Sequence, residues 1–471
     1  MISRVLCNNI PYFKQSFDGA IDWHIEHKYY HELSQPSEWV PMSIIPKNEN
    51  KGDEMVEIMA TIHNYVPMIE SSRAVFVPSL NEHIDIQEAR SFPIILHGDY
   101  LTAARARGAQ KFKINADSPS NRYEGLVPVS ADWHTKLRVL SIIWKYYFSS
   151  RSATDTIGSL YNVRNRLNRT NVPTDVKKDF NACEDFIETV TQSQIVAAAL
   201  PTFDMKSVSD TPSERVIQDA ENLWMKPRHE RKACLHDLCL KVYKKYISLS
   251  HNSSSEDYVQ NDSDCISSYS IQLLRIGVLY MEFADAIREG DGERVFRCWR
   301  YFLPIFRAAH STNYSCEALH FLHQHLYALS SRLSNQLILG RFVNVRGIPG
   351  RNIPLDLHME HLNRIAKGAI HNLKSNKTMR SISRVGRAIG TLAPLMEMFD
   401  EENSVPSTSS KYRKPSAEKD VYTIVEQLMK HEVFSIEPGR KLKHFKNPKD
   451  LFSTASNKDL LDWMVSRLTL L

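Results

Sequence analysis

Apolar positions along this chain recur with two periods, and the change from one to the other divides it. Helical spacing comes first, over Ile21–Leu33 and Asp53–Tyr65, where Val56, Ile58, Met59 and Ile62 form a stripe. Residues 1–90 therefore read as a helical segment. Phe92-Pro93-Ile94-Ile95-Leu96 is short, continuously apolar and closed by His97-Gly98-Asp99, which fits a buried strand. Thr102–Lys111 follows as a helix, with Thr102 in the N-cap position. Gly125–Asp132 is a second strand, placed at an edge or a strand start by Pro128. The stripe Leu137, Leu140, Ile143, Trp144, Tyr147 then makes 133–147 helical.

From 176 to 339 the pattern is helix after helix: Phe180–Ala199, Glu214–Met225, Glu230–Ser248, Tyr269–Arg288, Glu293–Arg307 and Ser315–Leu337. Ser250–Asp264 is a polar break. Arg341–Val345 has the composition of a short strand, and Leu355–Leu373 and Met379–Met398 are helices again. A Ser/Pro/Lys-rich linker occupies 401–420, and 421–471 forms a helical tail. The expected fold class is α/β and helix-dominated. A partial sheet from strands near 92–98, 125–131 and 341–345 lies in segments 91–175 and 340–400, around an all-helical insertion at 176–339.

Composition narrows the class without naming a function. With 42% hydrophobic and 24% charged residues the chain is an ordinary globular one. Its +5 charge, from 59 basic and 54 acidic residues, permits nucleic-acid binding without arguing for it. Seven scattered cysteines predict no disulfide framework and a reducing, nuclear or cytoplasmic location rather than secretion. No apolar run reaches the roughly 20 residues of a membrane helix. No phosphate-binding Gly loop, Gly-x-Ser-x-Gly or His-Glu-x-x-His is present, which removes the commonest nucleotide, hydrolase and zinc-protease readings.

The chemistry-bearing pattern is a set of three acidic motifs: His97-Gly98-Asp99, Asp132-Trp133-His134, and Asp356-Leu357-His358-Met359-Glu360-His361 on a helix. Two strand-end carboxylates and a late helix-borne Glu form the arrangement by which a ribonuclease-H-like nuclease holds two divalent metals. Asp99, Asp132 and Glu360 are the candidate ligands for Mg²⁺ or Mn²⁺. The plain alternative is a turn at Gly98-Asp99 and a helix cap at Asp356.

From about residue 2 to 400 the chain resembles a eukaryotic domain-of-unknown-function family of transposon-like proteins in invertebrates and fungi. The resemblance rests on His97-Gly98-Asp99-Tyr100-Leu101-Thr102, Pro128-Val129-Ser130-Ala131-Asp132-Trp133-His134, Asp179-Phe180-Asn181-Ala182 and the run from Arg351 to Arg364. Its layout is similar to that of ribonuclease-H-like DDE transposases of the hAT type, with a helical insertion before the final Glu. The resemblance implies metal-dependent DNA cleavage and strand transfer by ancestry, retained or lost, with DNA as partner, no membrane, and room for an oligomer. The alternative is a non-enzymatic, domesticated DNA-binding or protein-interaction scaffold. In such a core two strands and a helix separate the first two acids, and the 33 positions from Asp99 to Asp132 cannot hold them. Asp99 then corresponds to the second acid, Glu360 to the last, and Asp132 with His134 to an accessory motif at the metal or the phosphate. The first acid would lie upstream, and the chain reads as N-terminally shortened. Asp99, Asp132 and Glu360 as a complete triad is the rival assignment.

Basic positions supply the candidate DNA contacts: Arg105 and Arg107 just after Asp99, and Arg380, Arg384 and Arg387 at helical spacing. Arg440–Lys446 is a further basic patch. His24, His27 and His31 share a face if 21–33 is helical, and His320/His323/His325 and Cys234/His236/Cys239 are weaker metal candidates.

Overall fold

The computed structural model describes residues 1–42, 44–77, 79, 82–154, 158–248, 264–402, 417–445, 451–452 and 463–464. Four helices open the chain: α1 (Ile2–Asn9), α2 (Pro11–Ser16), α3 (Tyr30–Leu33) and α4 (Gly52–His63). An antiparallel hairpin, β1 (Met68–Val77) with β2 (Glu82–Ser91), follows, so the first ninety residues are not helical throughout. Then come β3 (Ile94–Gly98), α5 (Tyr100–Phe112), β4 (Leu126–Ser130) and α6 (Asp132–Tyr147). The helical block is α7 (Leu160–Arg166), α8 (Phe180–Thr202), α9 (Arg228–Val242), α10 (Cys265–Glu289), α11 (Gly292–Ala308), α12 (Thr312–His323) and α13 (Ser331–Leu339). After it stand β5 (Phe342–Val343), β6 (Ile353–Pro354), α14 (Leu355–Asn372), α15 (Met379–Glu402) and α16 (Ala417–Lys430).

β3 and β4 are parallel, with Ile94 opposite Leu126 and Gly98 opposite Ser130, and α5 is their crossover. The expected third strand does not join them. β5 pairs antiparallel with β6 instead, Phe342 opposite Pro354, and forms a ladder of its own. Two segments also differ from their helical pattern. Residues 21–29 contain no helix, and of 214–225 only 220–225 coil, as a 3-10 turn. Residues 250–263 of the polar break and most of the 401–420 linker lie outside the described residues.

The main core gathers around α8 and α10. Ile195-Val196-Ala197-Ala198-Ala199-Leu200 is buried on every side, as a helix apolar all round must be. Phe186, Val190, Leu273, Tyr280 and Phe283 pack there with Trp299, Phe302 and Phe306 of α11 and Val139, Leu140 and Ile143 of α6. A second cluster, Met55, Met59, Ala106, Ala109 and Leu126, seats α4 and α5 on the strands. A third is small: Leu362, Ala366 and Ile389, joined by Trp39, hold α14 against α15.

Candidate functional site

The carboxyl ends of two parallel strands bring Asp99 and the head of α6 to one edge. Ala131 N–H donates to Gly98 O at 2.8 Å, continuing the pairing past the strands. Gly98 is required there, because a Cβ would stand 2.8 Å from Thr102 Cγ2. Asp99 is the N-cap of α5: its carboxylate accepts from Thr102 N–H at 2.7 Å, so the cap lies three residues before the expected Thr102. The N-cap of α6 is Ala131, which has no capping side chain. Asp356 caps that helix from the first turn of α14, accepting from Trp133 N–H and His134 N–H, both at 3.1 Å. The cap thus serves a distant helix rather than its own.

Asp356 also meets His134 Nδ1 at 3.0 Å, with the imidazole about one-quarter exposed and Asp356 buried. Burial works against the imidazolium, but the hydrogen bond and charge of Asp356, then the charges of Asp99 and Glu360, raise its pKa above the ordinary value. Tyr314 of α12 closes the edge, donating from its hydroxyl to His134 O at 3.4 Å. Burial and the charge of Asp99 push that phenol up to about 12. Nothing in the sequence around Tyr314 marked it.

Asp132 has the opposite orientation. Its side chain is fully buried, and Arg341, equally buried, holds it in two parallel bonds of 2.7 Å, Nε to Oδ2 and Nη2 to Oδ1. Trp299 Nε1 donates to Oδ1 at 2.9 Å. Arg341 also donates to Ser130 O and lies over the Phe321 ring at 4.4 Å. With both oxygens engaged and no exposure, Asp132 is not a metal ligand, contrary to the sequence expectation. It is a keystone between β4, α11 and the turn before β5. His97 lies beneath the edge with both ring nitrogens buried and unpartnered, and burial, then Arg341, lowers its pKa to about 3.

Glu360 is exposed one turn beyond Asp356 on α14. Asp99, His134 and Glu360 thus share an electrostatic neighbourhood. Among the described residues, however, no three His, Cys, Asp or Glu side chains come together as a metal-holding group. The set Asp99, Asp132, Glu360 does not fit Mg²⁺ or Mn²⁺, because its middle member faces the core.

The basic candidates separate in the same way. Arg105 reaches Glu49 at 3.7 Å. Arg107 is mostly buried and paired with Glu317, which leaves little of its charge for a DNA surface. Arg440 is bound to Asp264, with Nε at 2.8 Å. Arg380, Arg384 and Arg387 stay exposed on α15, along a shallow groove with Met379, Ser383 and Ala388. The other metal candidates dissolve. His24 and His27 bind the carboxylate and the carbonyl of Glu289, each at 3.0 Å, from a loop. His320 is lowered to about 4 by burial and Arg107, and Cys239 is raised to about 12 by burial. Among the described residues, no helix is long and apolar enough to cross a membrane.

A model of a family of unknown function, DUF6589, matches residues 1–411. No curated protein and no solved structure matches the chain.

Proposed function

The chain belongs to this family of unknown function, and we propose that it is a transposase-derived DNA-binding protein. The observation that carries the reading is the exposed triad Arg380, Arg384, Arg387, one helix away from the strand edge and unpaired among the described residues. The transposase ancestry is supported by the order of a parallel strand–helix–strand unit, β3–α5–β4, a long helical block and a late Glu-bearing helix. The β1–β2 hairpin stands directly before β3 in a sheet of its own, without the helix that a ribonuclease-H-like core has between its third and fourth strands. Strand transfer with Mg²⁺ or Mn²⁺ on Asp99 and Glu360 is the ancestral chemistry of such a scaffold. With Asp132 locked to Arg341, no step is assigned to a metal, and binding is the function the residues support.

Two measurements test this. Duplex DNA should bind with an affinity that falls steeply with salt, and Arg380→Ala/Arg384→Ala/Arg387→Ala should flatten the dependence by about three in log–log slope. Supercoiled plasmid incubated with Mg²⁺ or Mn²⁺ should stay intact. Nicking that disappears in Glu360→Gln would replace the binding reading with the enzymatic one.

A further inference from the structure

The chain carries 54 acidic residues, yet none falls between Glu360 and Glu397. That stretch is α14, its turn and most of α15, and it holds seven basic residues: Arg364, Lys367, Lys374, Lys377, Arg380, Arg384 and Arg387. All seven are exposed, and none of their side chains has a partner among the described residues. Elsewhere in the protein comparable cations are consumed, as Arg107, Arg169, Arg294, Arg341 and Arg440 are by carboxylates.

We propose that α14 and α15 together form one cradle for the phosphate backbone of duplex nucleic acid, with Arg364, Lys367, Lys374 and Lys377 contributing alongside the α15 stripe. This rests on the DNA-binding reading and extends it to a second helix. At 3.6 residues per turn, Arg364, Lys367 and His371 lie on one face of α14, continuing from Glu360. From Arg364 to His371 the track is about 10 Å long at the α-helical rise. A duplex presents a phosphate charge every ~1.7 Å of its axis, so several phosphates meet the track. Glu360 at its head repels phosphate and marks where the track begins.

A lipid surface suits the hairpin less well. Its apolar side, Leu362, Ala366 and Ile389, is already covered by Trp39 and by the partner helix. Its exposed large apolar residues, among those described, are Met359 and Met379, too few to insert into a bilayer.

The test is fluorescence anisotropy with a labelled duplex of arbitrary sequence in a NaCl series, on the full chain. The variants are Arg364→Gln/Lys367→Gln and Lys374→Gln/Lys377→Gln, their folding checked by circular dichroism. Each pair should lower the log–log salt slope by about two and weaken binding tenfold or more at low salt. Glu360→Gln should tighten binding. If the wild-type chain binds while both pairs leave slope and affinity unchanged, the two-helix cradle is wrong and the α15 stripe alone remains. If the wild-type chain does not bind duplex at all, the DNA-binding reading falls with it. Binding to phosphatidylserine vesicles but not to duplex, lost in the same variants, would overturn the proposal in favour of a membrane surface.

Discussion

Removing the Asp132 carboxylate would leave the Arg341 guanidinium charged, fully buried and without its two-bond partner. Breaking a buried pair from one side costs about 3–5 kcal/mol, a large share of the roughly 5–15 kcal/mol that holds a domain folded. Asp99→Ala removes a helix cap worth about 0.5–2 kcal/mol, and Asp99→Asn keeps the cap while removing the charge. Urea denaturation followed by circular dichroism should therefore rank Asp132→Ala well below Asp99→Ala, with Asp99→Asn near wild type. Replacing the pair together, Asp132→Leu with Arg341→Met, should recover much of the loss, since no unpaired charge remains. Equal losses for Asp132→Ala and Asp99→Ala would remove the keystone role. The sequence could not separate these two acids. Both follow an apolar run, and the difference lies in Trp299 and Arg341, more than 160 residues away, which no local pattern announces.

At the scale of elements, the basic hairpin is fastened by an extended strap from the N-terminal part of the chain. Ser37 and Asn344 exchange two hydrogen bonds, at 2.8 and 2.9 Å, and Asn344 also ties down Leu33 and Ile348. The strap then crosses α15 at Gly386 and Gly390, one turn apart. A Cβ at Gly390 would stand 2.6 Å from Pro41 Cγ, and one at Gly386 would stand 3.0 Å from the backbone nitrogen of Ile44. Beyond the strap Glu49 reaches Thr102 Oγ1 at 2.8 Å, beside the Asp99 cap, so one segment links hairpin and strand edge. Gly→Ala gains about 1 kcal/mol of helix propensity at each site, whereas overpacking costs about 1–3 kcal/mol. Backbone and a proline ring cannot yield as a flexible side chain can, so the clash should win. Gly386→Ala/Gly390→Ala should expose the 36–46 strap to limited proteolysis and lower the melting temperature. Unchanged cutting and an unchanged melting temperature would contradict this docking. The two helices of the hairpin were legible because their apolar stripes are regular. The strap was not, since an extended segment has no period, and the β1–β2 hairpin was not, because the alternation His83-Ile84-Asp85-Ile86 covers only four residues of its second strand.

For the molecule as a whole, the matched family region ends at residue 411 but the core does not. The sequence reads the end of the chain as linker and tail, yet α16 packs along α8, and its Val421, Ile424, Val425 and Leu428 are buried in the main cluster. Arg169, itself buried, bonds both Asp420 of α16, at 2.7 Å, and Asp185 of α8, also at 2.7 Å. Gln427 donates to Asn162 at 3.0 Å. Burying four aliphatic side chains at about 1.5–3 kcal/mol each gives roughly 6–12 kcal/mol, an upper figure because the unfolded chain already hides some surface. That is as large as the net stability of a typical domain, so α16 decides whether the rest stays folded. A chain ending at residue 411 should lose cooperative thermal unfolding and expose apolar surface to a hydrophobic dye. In the full chain Leu428→Ala should cost about 2–5 kcal/mol while preserving the cooperative transition. Asp420→Ala should also be destabilising, because it strips Arg169 of one of its two carboxylates. A 1–411 chain that melts cooperatively at the wild-type temperature would show α16 to be dispensable, and Leu428→Ala would then be expected to change nothing either.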